Sequence, residues 1–154
     1  IQQAFLDAYD FRPLRAEPLY QIARIYRQVH DKPRLAYTFA KMAMEIPYPK
    51  EDILFISNDV YKWQILDEIG ASAYYAGKPH VGYHACKRML DEDLVPEKEK
   101  PRVLENFKQY EKVVLMIQSQ IAQEEFDKKK IKDEEREQGK ANQKNKKRKK
   151  RKQK

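Results

Sequence analysis

Asp91-Glu92-Asp93 has the Asp-x-Asp spacing that can hold a divalent cation between two carboxylates. The metal-binding version of that motif stands at the end of a buried strand. Here it follows the helical run Cys86-Lys87-Arg88-Met89-Leu90 and reads as a solvated helix end. His80 and His84 stand at i and i+4, so both imidazoles could face one ion. The Glu of a zinc-protease helix is missing between them, however, and two ligands do not close a zinc site. Cys86 takes the position that Ala40 takes in an earlier copy of the same pattern, so a small core residue is expected rather than a nucleophile; no base stands beside it in sequence. The only glycines are Gly70, Gly77, Gly82 and Gly139, too dispersed to build a loop around phosphates. The expectation is therefore no catalytic residue, no metal site and no cofactor in this chain.

The elements that could position a site come from a repeat. Lys32-Pro33-Arg34-Leu35-Ala36-Tyr37 returns as Lys78-Pro79-His80-Val81-Gly82-Tyr83, and Ala40-Lys41 as Cys86-Lys87, at an offset of 46 residues. Upstream, Leu19, Ile22, Ala23 and Tyr26 correspond to Leu66, Ile69, Gly70 and Ala73 at an offset of 47, with the odd residue absorbed in the turn between. Each unit reads as helix, turn, helix: Leu19, Ile22, Ala23 and Tyr26 form one stripe at i, i+3, i+4 and i+7, and Ala36, Ala40 and Ala43 a narrow one on the following helix. Pro18, Pro33, Pro79 and Pro101 fall where helices begin, a position in which the missing N–H has no intrahelical partner to lose. Gly77 falls where a helix stops, and Ser57, Asn58 and Asp59 offer capping oxygens to a helix entering at Val60.

Beyond Pro101, the residues Val103, Phe107, Tyr110, Val114, Ile117 and Ile121 recur at alternating spacings of four and three, predicting one long helix that closes the array. After Phe126 the apolar positions thin to Ile131, and the helix is expected to fray before Gly139. The net charge of +8 is unevenly divided: residues 1–127 carry 17 basic and 20 acidic side chains, net −3, and residues 128–154 carry 15 and 4, net +11. From Lys140 to Lys154 there are ten basic residues, no acidic one and no apolar one beyond Ala141, a composition that predicts disorder. The expected fold class is thus all-α: helix-turn-helix repeats in an α-solenoid over residues 1–126 (units at about 15–47 and 60–93, closing helix at about 101–126), then a charged helix extension and disordered polybasic tail over 127–154.

This pattern resembles the tetratricopeptide repeat, which places a large apolar residue, then Leu-Gly, an aromatic, and a small residue opening the second helix. Leu66, Ile69-Gly70, Gly77 and Gly82 match; Ala73 and Cys86 stand where that family has aromatics, and the period exceeds its usual length of roughly 34 residues. The excess is the linker from Ile46 to Ser57, including Ile53-Leu54-Phe55-Ile56, expected to cross the outside of the stack. A HEAT-like array fits the period but not the glycines. Such arrays carry a binding surface on the first helix of each pair, and the resemblance carries this over to Tyr20, Arg24, Arg27 and Gln28 in unit one and to Gln64, Asp67, Tyr74 and Tyr75 in unit two. The aromatic residues of the body recur at helical spacing and are expected to pack between helices rather than to stack on bases.

A closer likeness lies in the segment from Ala8 to Tyr20 (Ala-Tyr-Asp-Phe-Arg-Pro-Leu-Arg-Ala-Glu-Pro-Leu-Tyr), in Glu45-Ile46-Pro47-Tyr48-Pro49, in Asp52-Ile53-Leu54-Phe55, and in Asp67-Glu68 ahead of Ser72-Ala73-Tyr74-Tyr75. Over roughly residues 5–110 these resemble the helical region that follows the catalytic domain in certain family 2 glycosyltransferases. The resemblance implies a parent enzyme that transfers a sugar from a nucleotide donor, with the nucleotide-binding domain outside this chain. Because Ile1 opens inside a helical pattern with no initiator Met or leader layout, the chain is expected to be the C-terminal piece of something longer. Its partner would then be its own catalytic domain or another protein. The alternative is a free-standing helical adaptor whose tail, Lys146, Lys147, Arg148, Lys149, Lys150, Arg151 and Lys152, binds nucleic acid or an anionic surface without sequence preference, or directs nuclear localisation. A lone cysteine and the lack of any apolar run long enough to span a bilayer predict a reducing, cytoplasmic setting, nuclear or nucleolar if the tail is an address.

Overall fold

The structure, a computed structural model, describes residues 1–52 and 54–152, with the side chains of Asp133, Gln138 and residues 140–152 outside the description. All described elements are helical: α1 (Gln2–Phe11), α2 (Glu17–Gln28), α3 (Pro33–Met44), a π-helical turn (Val60–Gln64) leading into α4 (Ile65–Ser72), α5 (Pro79–Asp91) and α6 (Lys100–Lys152). The chain divides into two units, Ile1–Val114 and Leu115–Lys154.

In the first unit α1 packs on α2, α2 on α3, α3 on α4 and α4 on α5. The apolar stripe of α2 supplies Leu19, Ile22 and Ala23 to the core, and Ala36, Ala40 and Ala43 of α3 are wholly buried. Small side chains set the spacing of the second pair as well, since a Cβ on Gly70 of α4 would come within 2.9 Å of the Cys86 sulfur of α5. Rings bridge neighbouring helices where the sequence spaces them to do so: Tyr26 stacks on Phe39 with centroids 5.4 Å apart, and Tyr83 on Phe107 at 5.2 Å.

The two hairpins turn alike. Asp31 (φ 49°) and Gly77 (φ 69°) adopt the left-handed conformation immediately before Lys32-Pro33 and Lys78-Pro79. Lys32 N–H donates to the Tyr26 carbonyl at 2.8 Å, six residues back, and Lys78 N–H to the Ala73 carbonyl at 2.9 Å, five residues back. The first turn is thus one residue longer, which is the difference between the offsets of 46 and 47.

α4 ends at Ser72 because a side chain enters its hydrogen-bond ladder. The Tyr110 hydroxyl donates to the Gly70 carbonyl at 2.9 Å and accepts from the Tyr74 N–H at 3.0 Å, standing between the two groups that would otherwise close the next helical turn. Tyr110 gets there by lying flat across Gly82, where an added Cβ would fall 2.5 Å from its hydroxyl oxygen. Burial pushes the Tyr110 phenol up to about 12.

Two expectations are corrected here. The helix entering at Val60 has no side-chain cap; it opens as a π-helical turn, and the Asn58 side chain instead accepts a hydrogen bond from the Tyr48 hydroxyl at 2.8 Å. And α6 is helical through Lys152, where a disordered tail from Lys140 was expected: Lys, Arg, Gln and Glu are strong helix formers, and neither Pro nor any glycine after Gly139 interrupts them. Lys154, at the end of that expected tail, and Ile53 of the linker lie outside the described residues. In the second unit Ile121, the last residue of the expected closing seam, is 50 % exposed, and Phe126 beyond it is 64 % exposed.

Candidate functional site

α2 presents Tyr20, Arg24, Arg27 and Gln28 at i, i+4, i+7 and i+8, one face of the helix. The π-helical turn and α4 bring Gln64, Asp67 and Glu68 opposite. Together with Trp63, Lys98, Glu99 and Arg102 they line a cleft of about 510 Å³. Six of the eight residues expected to form a recognition surface therefore meet in one place.

The floor of that cleft is an ion-pair array. Arg27 closes a two-pronged contact on Glu68, 2.7 Å in each arm, with the Glu68 side chain only 3 % exposed. Arg102 does the same to Asp67 at 2.9 and 3.0 Å and also reaches Glu99 at 3.0 Å. The bond to Glu68 raises the Arg27 pKa and the bond to Asp67 raises that of Arg102, so both guanidinium groups are fixed as cations. Removing one partner of such a pair costs less than the roughly 3–5 kcal/mol of fully buried pairs, because the Arg27 and Arg102 side chains keep 28 % and 45 % of their surface in water, while the carboxylates left behind are largely desolvated. Arg27 with Glu68 and Arg102 with Asp67 thereby tie α2, α4 and α6 together.

Arg24 is different. Its guanidinium lies 5.6 Å from the centroid of the Tyr20 ring and 3.4 Å from the Gln21 amide oxygen, and the described residues give it no carboxylate. Tyr20 is itself buried, its ring forming the wall under Arg24.

Tyr74 and Tyr75 are not part of this cleft. Since α4 stops at Ser72 they sit on the following turn, more than half exposed, beside a separate hollow of about 520 Å³ that they line with Arg27, Arg102 and Gln109. Their rings meet edge to face at 5.7 Å, and the Tyr75 carbonyl accepts from Arg34 at 3.0 Å.

Sequence reasoning missed a second groove, of about 640 Å³, that shares Tyr20, Arg24 and Gln64 with the cleft and runs on to Phe5, Pro18, Val60 and Phe55. Its far wall is the pinned linker. Arg12 and Arg15 both bind Asp52, the latter at 3.1 Å; Arg15 also donates to the Phe55 carbonyl at 2.7 Å and grips Glu17 at 2.8 and 3.0 Å. Glu17 further accepts from the Tyr61 hydroxyl at 2.6 Å and from the Ser57 N–H at 3.2 Å. Burial works to raise the Glu17 pKa, but the hydrogen bonds from Arg15 and Tyr61 outweigh it and bring the carboxyl down to about 2. Burial, reinforced by the bond to Glu17, pushes Tyr61 up to about 12. Each partner lies 37–44 residues from its mate except Arg15 and Glu17, so no local pattern could have disclosed the network.

The residues weighed as chemistry are otherwise employed. Asp91, Glu92 and Asp93 are exposed at the end of α5 and pair with Lys87, Arg88 and Lys100. His84 is exposed, its ring against Tyr83. Cys86 is buried; desolvation, with the Asp67 charge adding to it, pushes its thiol up to about 12, far from a reactive thiolate. Among the described residues no group of three or more His, Cys, Asp or Glu is placed to hold a metal ion, and no helix is long and apolar enough to cross a membrane. The backbone of Lys146–Lys152 belongs to α6. No protein-family model matches the chain, and neither a characterised protein nor a solved structure is similar to it.

Proposed function

We propose that the chain is a non-catalytic, tetratricopeptide-like helical-repeat module from the C-terminal part of a glycosyltransferase, and that the α2–α4 cleft is its binding or bracing surface for a protein or acceptor. The observation that carries the non-catalytic half of this reading is that both buried carboxylates of the cleft are fully engaged by arginines, leaving neither as a general acid or base. The matching turns of the two hairpins support the repeat. The glycosyltransferase parentage rests on the likeness over residues 5–110, and a cytoplasmic setting accompanies it. Intact mass and N-terminal sequence of the natural protein, with nucleotide-sugar turnover measured on it and on this chain alone, test the proposal. A longer, active natural protein beside an inactive chain is the expected result. A natural product of this size, or turnover by the chain itself, overturns it. The uninterrupted basic run Lys146–Lys152 favours one other reading, an adaptor whose tail binds nucleic acid, and a natural product of this size would leave that reading standing.

A further inference from the structure

The cleft and the groove beside it meet at Tyr20, Arg24 and Gln64, so the surface is continuous from Phe55 at one end to Gln28 at the other. Its two halves have different chemistry. Toward Phe55 the lining mixes apolar Phe5, Ala8, Pro18 and Val60 with Arg12, Arg15 and Glu17, whose charges are already paired. Toward Gln28 it is polar. At the junction stands Arg24, the one arginine of the surface that the described residues leave without a carboxylate, while Arg12, Arg15, Arg27 and Arg102 are all tied to Asp or Glu. A guanidinium held over a tyrosine ring is pre-oriented for the two parallel hydrogen bonds a carboxylate accepts.

Phe55 adds a second, independent indication. It is 92 % exposed and has φ 61°, a left-handed conformation that a bulky side chain adopts only under constraint. The constraint is visible: Arg15 holds its carbonyl and Glu17 holds the N–H of Ser57 two residues on. A strained backbone thus keeps a large ring at the mouth of the groove.

We propose that this surface binds a short peptide segment in which an acidic side chain, taken by Arg24, stands next to a bulky apolar one, taken by the Phe5–Phe55 groove. The proposal rests on the reading of the α2–α4 cleft as a binding surface and names its partner's chemistry. Phosphate-rich ligands are disfavoured because four of the five arginines are already neutralised; among the described residues only Arg24 and Lys98 are left on this surface as cations without a carboxylate, and a nucleic acid would need more of them along its path.

The test is fluorescence anisotropy with the full chain and three probes: short peptides in which Glu alternates with Leu and Phe, the same peptides with Gln for Glu, and a single-stranded oligonucleotide. The Glu peptides are expected to bind at least about tenfold more tightly than the Gln peptides, the scale of one charge-assisted hydrogen-bonded contact. Arg24→Gln should abolish that difference while leaving the affinity for Gln peptides unchanged. Phe55→Gly, which suits the left-handed backbone and so does not endanger folding, should weaken both peptide sets. Equal binding of Glu and Gln peptides that still depends on Arg24 and Phe55 overturns the acidic ligand and keeps the surface. Peptide binding indifferent to both substitutions, or no peptide binding at all, overturns the surface with it. Displacement of the peptides by the oligonucleotide in the wild type but not in Arg24→Gln overturns the peptide in favour of a phosphate ligand.

Discussion

Tyr110→Phe removes one oxygen and keeps the ring, and it isolates what holds α6 to the helical pairs. In the native arrangement that oxygen makes two buried hydrogen bonds, to the Gly70 carbonyl at 2.9 Å and from the Tyr74 N–H at 3.0 Å. A net hydrogen bond contributes roughly 0.5–1.5 kcal/mol, and a buried group left without a partner costs about 1–3 kcal/mol. Full loss of both bonds without relaxation would exceed about 3 kcal/mol, but Gly70 and Tyr74 both line the hollow beside Tyr110, so water can reach the two freed groups once the hydroxyl is gone. The expected destabilisation is therefore about 1–3 kcal/mol, read as a lower urea midpoint at unchanged slope. Gly82→Ala attacks the same contact from below. Ala favours a helix over Gly by about 1 kcal/mol, so a mild gain would be expected on an open helix. Here the new methyl group would occupy the space of the Tyr110 ring, and a net loss is expected instead. The two substitutions share a target, so their combined cost should fall short of the sum by more than the ~0.5 kcal/mol typical of independent sites. Amide exchange gives the residue-level readout, since the Tyr74 N–H should lose protection in either variant. A Tyr110→Phe protein within about 0.5 kcal/mol of wild type, with the Tyr74 amide still protected, would refute the account of why α4 ends where it does.

Glu17 gives a pH signature: its folded carboxyl, at about 2, lies below the ordinary 4.5, so its contribution is complete above that ordinary value and fades as pH falls from 4.5 toward 2. The window corresponds to on the order of 3 kcal/mol, and Glu17→Gln should flatten the acid limb of stability against pH in chemical denaturation. Cys86 should resist alkylation near pH 8 in the folded protein and react at an ordinary thiol rate in urea, as followed by mass spectrometry. Phe55→Gly relieves a left-handed backbone, worth about 1–2 kcal/mol, against a similar entropic cost in the unfolded chain, so the thermal midpoint should hold or rise slightly. Deleting residues 140–154 removes ten positive charges and takes the net charge from +8 to −2; retention on an anionic polymer at low salt should be lost with it, as ion-exchange chromatography would report.

What the sequence discloses about the fold is what repeats within a few residues. The α2 stripe, the alanines of α3, and the Lys-Pro pairs that open α3 and α5 are all periodic or local, and each lands in the expected element. Even the one-residue discrepancy between the two offsets is legible, because it belongs to a single turn. Composition was less informative for the tail: a stretch unable to bury surface is expected to be disordered, yet strong helix formers without a breaker extend α6 through Lys152.

The candidate site was half legible, and the division has a physical cause. Helical spacing identifies which residues of α2 share a face, so Tyr20, Arg24, Arg27 and Gln28 could be grouped without a structure. It cannot say which of them are neutralised, because an arginine's partner is set by tertiary contact: Glu68 lies 41 residues from Arg27, and Asp67 lies 35 from Arg102. Charge on a helix face is thus an ambiguous signal. On this surface the same residue type serves twice, as a partly buried fork that fastens helices together and, at Arg24, as a guanidinium to which the described residues give no carboxylate. The distinction bears on the proposed recognition, since a fork already closed on a carboxylate can take a ligand only by giving up part of that contact, whereas Arg24 has no such contact to give up. Recognition should therefore be most sensitive at Arg24.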